Sequence, residues 1–411
     1  MTFKTRFTTA IATGAVLVNA LAPIALANTV TVSGNGAFSN SAVNVSNNSN
    51  TVVNQTNDAN ITNHVDSNAS TGGNSSNFNT GGNTTIKTGN ATNNVNVTNA
   101  ANLNQASLSN CGSCNGGATN VTVKGNGAYS DNGVSVNNGN NVLLNQDNRA
   151  NFNNRIDADS KTGGNDTSYN TGGDSVILTG NAKTNVKVGN LANANVAELG
   201  GHGNAGSASV TVDGNGAFST NGVALNNSSA VVLGQNNDAR IRNNVDADAK
   251  TGGNDSQFNT GGFTGISTGN AKTKVAVDNM ANFNAASLDC GCVLDGLDVK
   301  VAGNGAESWN SVDAAAANAI VDAQDNDAHL FNDVDGDAKT GANDLGFSTG
   351  DVHGDPVIYT GNAKSNTGVH NSGNVNVLDN GGDTLHLPGN WEVGTSFDLS
   401  GLWTLLHGWM A

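Results

Sequence analysis

Apolar and polar residues alternate in short runs along most of this chain. Val30-Thr31-Val32 and Val95-Asn96-Val97 place apolar side chains at every second position, and Val121-Thr122-Val123 and Val186-Lys187-Val188 repeat the arrangement. A period of two is the signature of a strand with one buried face. Asn-Gly, Gly-Gly and Gly-Asn pairs stand between the runs, and such pairs supply the positive φ that tight turns need. Turn signals recur roughly every 9 to 13 residues, which predicts short strands in an all-β fold. Helical periodicity is nearly absent. The run from Ala314 to Ala319 is the exception, and its alignment with strand-like segments elsewhere assigns it to a strand too.

The runs are organised in four copies of one module. Gly34-Asn35-Gly36-Ala37 returns at Gly125, Gly214 and Gly303, at offsets of 91, 89 and 89 residues. Gln55, Gln146, Gln235 and Gln324 keep the same offsets, as do Asp66, Asp157, Asp246 and Asp335. Thr88-Gly89-Asn90-Ala91 recurs at Thr179, Thr268 and Thr360, the last delayed by a small insertion around His353. The modules span 28–110, 119–199, 208–289 and 297–378.

Modules of this kind stack so that neighbours bury what each alone leaves open. A repetitive β-solenoid, parallel β-helix-like, fits because stacked rungs shield one another and need few large residues. Four tandem β-sandwich modules are the alternative, each near the usual size of such a domain. A sandwich wants large side chains between its sheets, yet the first module offers mainly Phe38 and Phe78, and the whole chain holds 3 prolines. The solenoid is therefore the expected fold.

The ends set the expected compartment. Lys4 and Arg6 precede an apolar stretch from Ala10 to Leu26, and Ala25-Leu26-Ala27 has the small-x-small pattern of a cleavage site. Residues 1–27 read as a signal peptide, so the protein is expected outside the cell or on its surface. No later stretch is long and apolar enough to cross a membrane as a helix. The formal charge is -16, and -18 once Lys4 and Arg6 are gone. That sign repels phosphate backbones and argues against a nucleic-acid partner.

Candidate chemistry is confined to a few places. Modules two to four carry Asp157 and Asp159 with Asp166, Asp246 and Asp248 with Asp255, and Asp335 and Asp337 with Asp344. Alternate residues of an extended segment point the same way, and the turn that follows could swing the third carboxylate back. Hard oxygens gathered on a tight loop are what Ca²⁺ requires; a solvated acidic turn in which Asp caps backbone N–H groups is the other reading. A glycosidase needs one acid–base pair at a set separation in a cleft. Acids in three copies favour a repeated structural role, and the chain is not expected to be an enzyme.

Cys111 and Cys114 follow module one, and Cys290 and Cys292 follow module three. In an exported chain they are expected to form disulfides. The clusters lie about two modules apart, which in a solenoid means several rungs, so a bridge between them within one chain is not expected, while one to a neighbouring molecule is conceivable. From residue 379 the character changes. Trp391, Phe397, Leu402, Trp403, Leu406 and Trp409 give an apolar tail over 379–411, read as a cap on the last rung or as a docking element for a neighbour. Acidity also rises along the chain, from Asp58 and Asp66 in module one to a dense acidic set in module four.

This Asn-, Thr- and Gly-rich repetition resembles bacterial cell-surface repeat proteins of the S-layer and adhesin-like kind. The resemblance is one of composition and repeat style over 28–378, and it carries no functional residue. It implies a structural or adhesive role: a chain that self-assembles or coats the envelope, with an adhesin or glycan-binding module as the alternative and a polysaccharide-active enzyme a remoter one.

Overall fold

The computed structural model describes residues 15–19, 28–108, 119–200, 207–289, 296–349 and 356–379. These residues form strands and turns without a helix. A short strand β1 (Ala15–Asn19) precedes the modules. The first module holds β2 (Asn28–Ser33), β3 (Asn40–Gly72), β4 (Thr84–Lys87) and β5 (Ala91–Leu108). The second repeats them as β6 (Thr119–Lys124), β7 (Asp131–Gly163), β8 (Ser175–Leu178) and β9 (Ala182–Gly200). The third has β10 (Ser207–Asp213), β11 (Thr220–Gly252), β12 (Asp255–Gln257), β13 (Thr264–Ser267) and β14 (Ala271–Asp289). The fourth has β15 (Gly296–Ala302), β16 (Trp309–Gly341), β17 (Asp344–Gly346), β18 (Val357–Tyr359) and β19 (Ala363–Asp379).

Every pairing is parallel and, apart from β1 with β5, joins equivalent strands of successive modules. The long strands stack as β3-β7-β11-β16, the returning strands as β5-β9-β14-β19 with β1 on the outer edge of β5, and the short ones as β2-β6-β10-β15 and β4-β8-β13-β18. The register follows the module offset throughout, so Gln55 faces Gln146, Gln235 faces Gln324, and so on. The expected β-solenoid is thus the fold, and the tandem sandwich is not.

Two features of the expectation are corrected. Each module is one rung of the stack, not several, so two modules amount to about 10 Å along the axis. The main strand is also not short: β3, β7, β11 and β16 each run 33 residues, about 110 Å at the usual rise. Neighbouring rungs supply a backbone partner at every position, so Asn-Gly pairs need not break the strand. Gly139 shows why glycine stands inside it: a Cβ there would lie 2.5 Å from Asn48 Oδ1 in the rung before. That glycine marks side-chain crowding, not a turn.

Each rung is a flattened loop of two layers. The long strand forms one layer. After the turn near Gly73 and β4, the chain returns along the other, so that Gln55 donates through Nε2 to Gln105 O and Ser67 donates to Asn93 Oδ1 across the interior. The β2 stack covers the other end of the long strand, where Val30, Val32, Val121, Val123, Val134 and Val136 pack together. Midway along the returning strand Asn102, Asn193, Asn282 and Asn374 adopt φ of 58–65°. Asparagine tolerates this left-handed region better than most residues. Before it the inward residues of β5 are odd-numbered, as Val95 and Val97; after it they are even, as Asn104, Ala106 and Leu108.

The true turns carry aromatic rows. Phe38, Tyr129 and Phe218 stack with centroids 4.9 Å apart, and Phe78, Tyr169, Phe258 and Phe347 stack at 5.0 Å. All seven have positive φ. That conformation costs a non-glycine residue roughly 1–2 kcal/mol, and offset stacking of the rings returns about 0.5–1.5 kcal/mol per pair.

Candidate assembly interface

The interior alternates apolar rows with amide rows. Val53 packs with Leu144 and Leu233, and Ile61 with Phe152 and Ile241. Between them run Asn57, Asn148, Asn237 and Asn326. Nδ2 of each donates to Oδ1 of the next, at 3.1, 3.1 and 2.9 Å. Asn104, Asn195, Asn284 and Asn376 form the facing row, linked at 3.0 Å, and the two rows cross-link, as Asn148 Nδ2 to Asn195 Oδ1 at 2.7 Å. Asn63, Asn154, Asn243 and Asn332 repeat the motif against Asn99, Asn190, Asn279 and Asn371. The rung spacing of about 4.8 Å suits an amide-to-amide hydrogen bond between identical residues. Buried amides are tolerable only when so satisfied. These inward asparagine ladders therefore have a direction, each Nδ2 donating toward the fourth rung, while the buried row of Gln55, Gln146, Gln235 and Gln324 donates toward the first.

Among the described strands β3 at the first rung and every strand of the fourth rung are edge strands, while β1 lies along part of β5. Side chains of the fourth rung that continue core rows stand exposed there: Val299, Val301, Ile358, Val369 and Leu378 are 40–47% exposed. Their first-rung counterparts Val30, Val32, Ile86, Val97 and Ala106 are only 1–7% exposed.

The acidic residues fall into axial rows on the outer face and in the turn. Asp66, Asp157, Asp246 and Asp335 align in one row, and Asn68, Asp159, Asp248 and Asp337 in the next. Sequence alternation placed each Asp-x-Asp pair on one face, and they do share it. Beside them runs Lys161, Lys250 and Lys339, and each lysine pairs with the aspartate two residues before it, at 2.9 Å for Lys161 and Asp159. Those partners raise the Lys161 and Lys339 pKa and lower that of Asp337. Burial, then the neighbouring Asp248, Asp157 and Asp335, raise that of Asp246.

The turn carboxylates stay apart from these rows. Asp166 accepts from Ser168 Oγ at 2.6 Å and from Asn77 Nδ2 at 2.7 Å, and Asp344 accepts from Gln257 Nε2 at 2.8 Å. Asp166, Asp255 and Asp344 bridge one another along the axis, and burial, then Asp166 and Asp344, raise the Asp255 pKa. Among the described residues no group of three or more His, Cys, Asp or Glu side chains is placed to hold a metal ion. The cysteines at 111, 114, 290 and 292, His353 and the tail residues from 380 onward lie outside the described residues.

Asp322 was not singled out by sequence. It occupies the fourth-rung place of the row Val53, Leu144 and Leu233. Its Oδ1 is buried without a hydrogen-bond partner, and burial raises its pKa. A carboxyl raised in the fold is most stable there when neutral, so its penalty at neutral pH disappears as pH falls through the folded pKa. Asp246 and Asp255 act in the same direction, and Asp337 in the opposite one. The protein is therefore expected to melt higher in mild acid, as pH falls through these raised carboxyls, than at pH 7. Asp322→Leu should add roughly 1 kcal/mol at pH 7 and reduce that pH dependence; thermal melts of both proteins across this range check it.

A shallow open trough crosses Ala42, Gly133 and Gly222 on the outer face, with Asp313 as the single acid in its lining. It offers one carboxylate where glycoside hydrolysis needs two. No helix among the described residues is long and apolar enough to cross a membrane. Comparison of the chain with family models, with curated proteins and with solved structures gave no match.

Proposed function

We propose that this is a structural protein of the cell exterior that assembles with copies of itself through the ends of its stack. The observation that carries this reading is the pair of long edge strands, β3 and β16, that no other described strand covers. Each offers a 33-residue strand edge without a proline in it. Long unprotected edges are templates for further strands, and proteins that stay monomeric shorten, cover or interrupt them. The signal-like residues before Asn28 support export. The exterior face, rich in Asn, Ser and Thr, suits a surface layer or fibre. An adhesin reading draws less support: within each turn row the aromatic rings spend their faces on one another, and only the end rings keep one face for a sugar.

Electron microscopy of the purified chain over a concentration series tests the proposal. Filaments or sheets that grow with concentration are expected. Separate short particles at every concentration would overturn it.

A further inference from the structure

We infer that copies of this chain join head to tail, with the fourth rung of one chain laid in parallel register against the first rung of the next. The inference rests on the self-association proposed above and adds its geometry and polarity.

Hydrogen bonding gives the direction. Asn237 Nδ2, inside the stack, donates to Phe283 O, Asn284 Oδ1 and Asn326 Oδ1. Asn326 Nδ2, at the fourth rung, donates only to the first two equivalents, Val375 O and Asn376 Oδ1. Asn332 Nδ2 likewise keeps Asn371 Oδ1 but lacks the axial partner that Asn243 has in Asn332. At the other end Asn57 and Asn63 are buried and donate into the stack, yet among the described residues no donor reaches the Oδ1 of either. In these asparagine rows the fourth-rung end thus presents donors and the first-rung end acceptors, and the glutamine row, which runs the other way, is just as polar. Laid in register, Asn326 and Asn332 would donate to Asn57 and Asn63 of the next copy. Two first rungs set face to face would oppose acceptor to acceptor.

Apolar contacts and charge agree with that direction. The same register buries the exposed Val301, Ile358 and Val369 of the fourth rung in line with the core rows that Val32, Ile86 and Val97 begin in the next copy. It also extends the aromatic row from Phe347 to the next copy's Phe78. β16 carries seven aspartates and one lysine, and β3 carries two aspartates and no lysine. Two fourth rungs set against each other would oppose their full acidic sets. The head-to-tail joint sets Asp325 and Asp337 beside Thr56 and Asn68, and Asp333 beside His64. Only Asp327 with Asp58 and Asp335 with Asp66 meet like charge, both on the solvated outer face.

The first-rung edge is also receptive to a parallel strand. β1 pairs there, with Ala15–Asn19 aligned to Leu103–Ser107, the places that Val375–Asp379 of another copy would take by the register of β19. Removal of the leader opens this part of the joint. The apolar tail is the competing cover for the fourth rung. It holds two asparagines, Asn380 and Asn390, too few to continue the rows of identical amides. A head-to-tail contact does not close on itself, so it propagates as a filament.

The test uses edge blocks in the full chain and in the chain starting at Asn28. Trp309 N–H points to Ser219 O in the third rung and Phe38 N–H to Ala128 O in the second. In β16 the even-numbered N–H groups consequently point out of the stack. In β3, where Asp131 N–H donates to Ser39 O, the even-numbered groups do so as well. Ala314→Pro with Ala316→Pro blocks the fourth-rung edge and removes outward backbone donors only; Ser46→Pro with Asn48→Pro blocks the first and also removes the exposed bond from Asn48 Nδ2 to Ser46 Oγ. Each variant alone should stay monomeric and, at a few per cent of total protein, shorten wild-type filaments several-fold. The two mixed should stop at dimers. Dimers of the first-rung variant alone would show fourth-rung pairing and overturn the inference. Should a variant misfold, the symmetry of the wild-type filament decides: one polar direction is expected, and two-fold axes across the filament would overturn head-to-tail joining while leaving self-assembly intact. A wild-type chain that stays monomeric while Leu402→Asp with Leu406→Asp polymerises would assign the fourth-rung end to the tail and also overturn it. Absence of assembly by all forms would remove the self-association reading itself.

Discussion

Asn237→Leu is expected to destabilise the fold by about 3 kcal/mol or more, although it puts an apolar residue into the interior. Asn237 lies fully buried in the third rung. Its Nδ2 serves three acceptors, and its Oδ1 accepts from Asn148 Nδ2 at 3.1 Å and Asn195 Nδ2 at 3.0 Å. Leucine removes five contacts at once and strands polar groups on both layers. Each orphaned buried group costs roughly 1–3 kcal/mol, far beyond what a few added methyl groups return where packing is already tight. Asn151→Leu, on the exposed outer face of β7, should change stability by no more than about 0.5 kcal/mol. Urea unfolding of both variants measures the contrast. Equal effects would show that the amide rows do not hold the layers together.

Gly252→Ala should be at least as damaging, for a backbone reason. Gly252 has φ +118°, a conformation L residues rarely adopt, and an added Cβ would fall 1.9 Å from Gly341 O in the next rung. Neither group is the end of a flexible side chain, so the rungs themselves must separate. The neighbouring bond from Gly253 N to Gly341 O, 2.9 Å long, sits at the same place. A loss above about 4 kcal/mol is expected, the range reserved for steric and strain failures of this kind. Gly253→Ala provides the control: φ is +66° and nothing lies within 4 Å of its added Cβ. It should lose only about 1 kcal/mol from the left-handed conformation.

These two sites also show how far the sequence could be read. The constant offset of the Gln55 and Asp66 series foretold parallel, in-register stacking, and low aromatic content pointed to rungs rather than sandwiches. Strand length was misread because Gly139 and Gly133 look like turn residues when no neighbouring rung is in view. The asparagine rows keep the same offset as the glutamines and were legible in that sense. Stacked rungs imply that aligned asparagines can hydrogen-bond in ladders, but which of them turn inward is hidden, because a period-two reading assigns polar residues to water, whereas Val53, Gln55, Asn57, Ala59 and Ile61 share the inward face of β3. An amide can replace water by its own copy one rung away, and a single-strand pattern does not contain that neighbour. The acidic pairs share a face as the alternation implied. The same alternation puts Lys161 on that face, two residues beyond Asp159, so the lysine partner was equally legible. Asp322 needs the knowledge that one module is one rung, since only then does it align with Leu144 and Leu233.

Diffraction from aligned filaments, with the axial rise per chain taken from cryo-electron microscopy of the same sample, tests the account most directly. Four rungs per chain and head-to-tail joining predict a strong reflection near 4.8 Å along the filament axis and a rise of about 19 Å per chain. A rise near twice that value with paired, oppositely directed chains would contradict the joining. A 4.8 Å reflection across the axis, or none, would contradict the stack of rungs as the element that assembles.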